Sequence, residues 1–327
     1  MQASTMRNFE LPGEQAAYYS MASGIGNWEA FNGSPFSIHD VLGAARTWGQ
    51  VTAGHNKLWL CWNVDPSWCL LQQALVQELG WTPLVGFDPR VGPPPLLPGA
   101  LCIDFNAPFG FGTMYPHFPL EFAFAFVPDK LAFWHSDLLV PTDQLRRYAQ
   151  AFEAMPQGCI IATREDLSLK DRLRGKKLKR AWELLGCVSR AGSEHAFMSG
   201  CGWWMCFYLH PLLRGHEERR RRVQEYWDHG TGILYWHEHC SGGLDFIANR
   251  EIDAGHFTRI GRRDTYKVHG DDDWRRHLTK ELSANFELEK ACASLGLSTL
   301  WQTVQARLSA GDLRLPPGTG TQLPLPR

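Results

Sequence analysis

Residues 57–88 constrain the fold more than any other stretch of the chain. "KLWLCWNV" is an apolar run of strand length, "PSWCLLQQALVQELG" is a helix opened by proline and closed by Gly80, and "TPLVGFD" is a second apolar run. A strand, a helix and a strand in that order pair in parallel, because the helix supplies the crossover that a parallel pair needs. The expected fold is therefore α/β, a mixed, mainly parallel sheet flanked by helices.

Further punctuation extends this pattern. "VGPPPLLPG" predicts a rigid surface connection, since its prolines support neither a ladder nor a helix interior. "ALCIDFNAP", "LEFAFAFV", "KLAFWHSDLLV" and "GCIIATR" read as strands, and "TDQLRRYAQAFEAM" reads as a helix starting at Thr142 and Asp143. Upstream, "SIHDVLGAARTWGQV" is one helix with Ser37 as a cap, set in a Gly-, Ser- and Asn-rich stretch. The runs "KDRLRGKKLKRAWELLG" and "EERRRRVQEYW" read as solvated helix faces, and "DDDWRRHLTKELSANFELEKACASLG" reads as helical. The tail "RLPPGTGTQLPLPR" has too little apolar periodicity to pack. The organisation expected is an irregular N-terminal extension over 1–55, an α/β domain over 56–312 and a disordered tail over 313–327.

Composition narrows the class of partner. A formal net charge of −1 over 327 residues gives no global reason to expect nucleic acid or an anionic membrane. No apolar span reaches the length of a membrane-crossing helix. The nine cysteines fall mostly inside apolar runs such as "WLCW", which points to reduced core thiols and a cytoplasmic setting.

The polar triplet His135, Ser136 and Asp137 interrupts an apolar stretch at the end of a strand and just before a helix. Ligands of parallel sheets collect at carboxyl ends of strands, so a carboxylate here suits a hard divalent cation, Mn²⁺ or Mg²⁺, completed by phosphate oxygens. The alternatives are that Asp137 caps the following helix or forms a surface salt bridge.

With those residues in view, the chain resembles the nucleotide-sugar glycosyltransferases of the GT-A class. In that class a strand ends in Asp-x-Asp, and the last aspartate holds the metal on the donor diphosphate. Here Asp137 matches the last position and His135 replaces the first. The resemblance further implies a nucleotide-sugar donor, a glycan or other hydroxyl acceptor, a distal metal ligand matched by His256 in "GHF", and an acidic general base matched by Asp228. His229 beside it is a candidate for the acceptor side. Asp228 could equally cap its glycine-rich turn, and His256 could equally be structural.

Other candidates rest on residue chemistry. Asn63 and Asp65 close the first strand, and Asp104 and Asn106 close another, where amides and carboxylates suit ribose hydroxyls and base edges; capping explains them as well. Gly202 permits close backbone approach, and Trp203 and Trp204 offer faces for a sugar ring or filling for a core. The basic residues of 170–180 could neutralise a diphosphate or simply be solvated. "HEH" supports a rival: on a strand, His237 and His239 would point the same way and could share a zinc ion in a hydrolase. A sugar-nucleotide enzyme without transfer and a non-catalytic binding module on the same fold also remain open.

Overall fold

The computed structural model describes Phe36 and residues 38–89, 91–112, 114–175, 178, 180–203, 230–256, 288–311 and 313. Seven strands form one sheet: β1 (Lys57–Asn63), β2 (Thr82–Phe87), β3 (Leu101–Cys102), β4 (Lys130–Trp134), β5 (Cys159–Arg164), β6 (Trp182–Ser189) and β7 (Gly243–Ala248). Their spatial order is β3-β2-β1-β4-β6-β5-β7. All neighbours pair in parallel except β6, which runs antiparallel to both β4 and β5. The chain is thus an α/β domain with a mixed, mostly parallel sheet, as the first three elements require.

The central strands β1, β2 and β4 are largely apolar and buried because the sheet is covered on both faces there. Along β1, Leu58, Leu60 and Trp62 enter one core, while Trp59 and Cys61 enter the other. The first core is closed by α1 (Ile38–Thr52), by the short helices α2 (His117–Glu121) and α3 (Ala123–Phe126), and by α4 (Arg190–Met198) and α5 (Thr231–His239). The second is closed by α6 (Pro66–Glu78), α7 (Thr142–Ala154) and two C-terminal helices, α8 (Leu288–Ser294) and α9 (Ser298–Ala310). Trp59, Trp62 and Trp134 are fully buried at the centre. Each such ring contributes on the order of 2–3 kcal/mol by leaving water, so a good part of the chain's fourteen tryptophans serves to fill the core.

Three expectations are corrected. "LEFAFAFV" forms α2 and α3 rather than a strand. Every residue from His117 to Phe126 is buried, so its Phe-Ala alternation does not separate a wet face from a dry one. The segment 170–186 is not one helix: among its described residues the helix Leu169–Leu173 ends early, and Trp182 onwards is strand β6. "TGILYWHEH" is helix α5, not a strand. The helix over 38–52 forms as expected and belongs to the core, with Val41, Ala45 and Trp48 buried. Ser37, the run 217–227, residues 271–287 and all but Leu313 of the tail lie outside the described residues.

One topological feature positions the site. From β1 the chain goes to β2 on one side, whereas β4 lies on the other, so the order reverses between β1 and β4. The carboxyl ends of those two strands flank a switch point, the crevice where ligands of open α/β sheets bind.

Candidate metal centre

Strand β4 delivers the triplet to that point. The His135 N–H continues the ladder by donating to Leu184 O at 2.9 Å, and the Leu138 N–H closes a turn onto His135 O at 3.1 Å. Gln72, buried in α6, braces the turn from beneath: its Nε2 donates to His135 O at 2.8 Å and to Leu138 O at 3.0 Å. Leu138, Leu139 and Val140 then bury themselves in the core. The exit geometry of this turn is held by both backbone and side chain.

His256 arrives from a segment far downstream in the sequence. After β7 a four-residue helix, Asn249–Ile252, and a 3-10 turn, Asp253–Gly255, bring the backbone back against the turn after β4. Leu139 N–H donates to Gly255 O at 2.9 Å, and His256 pairs with Leu138 in an isolated antiparallel bridge. A β-carbon on Gly255 would lie 1.8 Å from Leu139 O. Only glycine allows this approach.

Together these contacts bring three side chains to one place. Asp137 Oδ1 is 3.7 Å from His135 Nδ1 and 3.4 Å from His256 Nε2. All three ligand atoms lie within 4.8 Å of one another, the one such group among the described residues. Donors about 2.1 Å from a common ion are separated by about 3.4 Å in a tetrahedron and about 3.0 Å at right angles in an octahedron, so little movement would be needed to hold a cation. Asp137 and His256 are buried, whereas the His135 side chain is 29% exposed, which leaves the centre open on one side.

The polar atoms fit a cation as well as the distances do. Both ring nitrogens of His256 and Nε2 of His135 are buried without a hydrogen-bond partner. Buried polar atoms ordinarily find partners, and for His256 Nε2, which faces the Asp137 carboxylate, a divalent ion would supply one. The helix-cap alternative for Asp137 has no support here: α7 is preceded by Pro141 and has no side-chain cap. Two imidazoles and one carboxylate form a borderline donor set, better matched to first-row transition metals than to Mg²⁺.

Charges around the centre act on His135. Burial works to lower its pKa, but the Glu183 carboxylate beside Nε2 and the Asp137 charge outweigh both burial and the opposing charge of Arg180, so the ring is held above its ordinary 6.5. Glu183 Oε1 lies 3.7 Å from His135 Nε2 and 3.9 Å from His117 Nε2. A cation and a proton therefore compete for the same ring.

The remaining candidates have local roles. Asp65 caps α6, accepting from Ser67 N–H at 2.9 Å and Trp68 N–H at 3.2 Å. Asp104 accepts from the N–H groups of Asn106 and Ala107, both at 2.9 Å. Asn106 closes its loop through both N–H and C=O of Phe111. Asn63, at the carboxyl end of β1, donates to Gly92 O at 2.8 Å while its Oδ1 is buried without a partner. Trp203 is 2% exposed with its ring edge-on to Phe133 at 5.0 Å, so the expectation of a free sugar-stacking face is corrected to core filling. Gly202 is buried, with its backbone close against Gly232.

The strand premise for a zinc pair is also corrected. On helix α5, residues two apart diverge by about 200°, so His237 and His239 do not face one ion. His237 Nδ1 instead lies 2.8 Å from Gly242 O, and His239 stacks near Tyr235 with centroids 4.5 Å apart. Asp228, His229 and Trp204 lie outside the described residues. Gly230, two positions after Asp228, is fixed beside the start of β6, where its carbonyl accepts from Ala181 N–H at 3.1 Å.

Sequence reasoning passed over Gln72, His117 and Glu183. Gln72 gave a faint signal as an amide inside an otherwise apolar helix, a position that demands buried partners. Glu183 gave none, because its segment read as solvated helix. No family model, no curated protein and no solved structure matches the chain. Among the described residues, no helix is long and apolar enough to cross a membrane.

Proposed function

We propose that the protein is a metal-dependent glycosyltransferase of GT-A-like design, moving a sugar from a nucleotide diphosphate to a hydroxyl acceptor. The observation that carries this reading is the convergence of His135, Asp137 and His256 at the β1/β4 switch point. A divalent cation bound there would neutralise the charge that develops on a departing diphosphate. Asp137 supplies the anionic ligand, His135 and His256 the neutral ones, and Gln72 with the Leu138–His256 bridge holds them in place. The partly exposed edge of His135 leaves a path by which phosphate oxygens reach the centre. Asn63, with its unpaired carbonyl oxygen at the end of the neighbouring strand, is the strongest remaining candidate for reading the nucleoside. Asp228 is assigned as acceptor base on the resemblance.

The donor set supports a second reading, a hydrolase in which the same three residues hold a zinc ion that activates water. In this reading the hydrolytic alternative uses His135, Asp137 and His256 instead of His237 and His239.

Calorimetric titration of UDP and GDP with and without Mn²⁺, on wild type and Asp137→Asn, tests the transferase. The expected result is metal-dependent nucleotide binding in the wild type and its loss by at least about 100-fold in the variant, with little change in thermal midpoint, since the substitution removes charge and keeps shape. Wild-type protein that takes up Zn²⁺ but no nucleotide would favour the hydrolase. Equal binding by both proteins would remove Asp137 from the site.

A further inference from the structure

We infer that Glu183 is a positioning residue of the metal centre, fixing the His135 ring so that Nδ1 is its metal-binding atom. This rests on the metal centre proposed above and adds to it a residue from a different strand. A neutral imidazole carries its proton on one nitrogen, and the partner of the other nitrogen decides which. In His135 the two nitrogens face different groups: Nδ1 is 3.7 Å from Asp137 Oδ1, and Nε2 is 3.7 Å from Glu183 Oε1. A proton on Nε2 lies between the ring and the Glu183 carboxylate. A proton on Nδ1 would instead set the Nε2 lone pair against a carboxylate oxygen, with water excluded from that nitrogen. Two electron-rich atoms in a shielded place repel each other more than they would in water. The favoured tautomer therefore carries Nε2–H and turns the Nδ1 lone pair towards Asp137 and His256.

The support for this arrangement is rigid. Strand β6 pairs Leu185 with Trp134, so Glu183 stands two residues further along, level with the turn that carries the triplet. The Glu183 side chain is 8% exposed, and His117 meets the same carboxylate from helix α2. The rings of His117 and His135 have centroids 6.4 Å apart, and those of His135 and His256 5.4 Å. One carboxylate thus stands behind the exposed ligand, on the side away from the proposed ion. Carboxylates behind metal-bound histidines orient the ring and raise its basicity, and their loss typically weakens metal affinity by about 10- to 100-fold.

The test uses the full chain labelled with ¹⁵N-histidine and loaded with Zn²⁺, which is diamagnetic. Long-range ¹H–¹⁵N spectra identify the metal-bound nitrogen of each ring, with His135 assigned through the loss of its signals in His135→Gln. The wild type is expected to show Nδ1 bound and Nε2 protonated. Glu183→Ala is expected to weaken Mn²⁺ binding about 10- to 100-fold by calorimetry and to lose the single Nε2–H signature. Glu183→Gln keeps an acceptor oxygen of the same size, so it should retain that signature with an intermediate affinity. It also decides the matter if the alanine variant does not fold. Zinc on Nε2 in the wild type, or binding within threefold of wild type in both variants, overturns the role of Glu183 while leaving the centre intact. A wild type that binds neither Zn²⁺ nor Mn²⁺ overturns the centre and this inference together.

Discussion

Leu138 and His256 pair as an isolated antiparallel bridge, although neither lies in a strand of the sheet. That single pairing brings a histidine from the end of the described β7 segment to the residue next to Asp137. The proposed metal centre depends on a backbone contact as much as on its three side chains, and its expected behaviour under substitution follows from that.

Gly255→Ala tests the backbone contact without touching a ligand. Its β-carbon would lie 1.8 Å from Leu139 O, so the 3-10 turn must move. The expected cost is about 1–3 kcal/mol in urea unfolding, as for other overpacked sites. Mn²⁺ affinity measured by calorimetry should fall at least tenfold, because His256 moves with the turn. Unchanged affinity would show that His256 is positioned by something else.

Gln72→Leu removes the brace under the triplet while keeping the size of the side chain. Two carbonyls, of His135 and Leu138, lose their side-chain donor. Stability should fall by about 1–2 kcal/mol, partly offset because the unpaired Gln72 Oε1 also disappears. Metal binding should weaken severalfold more than the stability change alone explains, since the loosened turn carries two of the three ligands. A variant with reduced stability and wild-type metal affinity would make Gln72 purely structural.

Replacing His237 and His239 together by glutamine should leave bound-metal stoichiometry unchanged by elemental analysis. Helix α5 turns the two rings apart, and His237 is engaged with Gly242. Loss of metal in the double variant would restore the pair as ligands.

Tyr148 predicts an alkaline instability. Its hydroxyl donates to Glu251 Oε2 at 3.0 Å and accepts from Gln144 Nε2 at 2.8 Å, tying α7 to the short helix that precedes His256. Burial, with the Glu251 carboxylate adding to it and Gln144 and Arg147 opposing, pushes its pKa from 10.0 up to about 12. Tyrosine is neutral when protonated, so between those two values the unfolded chain has lost its proton while the folded one retains it. Stability is therefore fully present below pH 10 and declines as pH rises towards 12. After allowance for solvent screening the loss is about 1 kcal/mol. Tyr148→Phe should flatten this part of the stability profile in denaturant titrations at pH 9 to 12.

The legible parts of the fold were those where one segment carried several agreeing signals. β1, α6 and β2 combine apolar runs with Pro66, the Asp65 cap and a closing Gly80, and each forms where the residues place it. His135 and Asp137 were legible for a related reason: polar residues cutting into an apolar run mark a strand end, and strand ends of parallel sheets face ligands.

The illegible parts were those where burial on every side erased the pattern. Seven of the eight residues of β6 are buried, so no alternation distinguishes it, and the basic residues before it suggested a solvated helix. Glu183 was lost with that strand. Helix α5 failed in the opposite direction, because its aromatic and branched residues, Ile233, Tyr235 and Trp236, are good strand formers that here pack into a core. His256 could be placed only by resemblance, since its meeting with Asp137 depends on a crossing of chain segments that no local pattern encodes.

The antiparallel course of β6 also gives the sheet a seam. On one side, β3, β2, β1 and β4 form one parallel block; on the other, β5 and β7 form a second, and among the described residues β6 is the strand that joins them. Asp137 leaves the first block and His256 returns from the second, so an ion held between them would rivet the two blocks across that seam. Shear applied to the molecule in a pulling experiment should then meet resistance that rises with cation concentration, and a chelator should return it to the level set by the β6 ladders and the Leu138–His256 bridge alone.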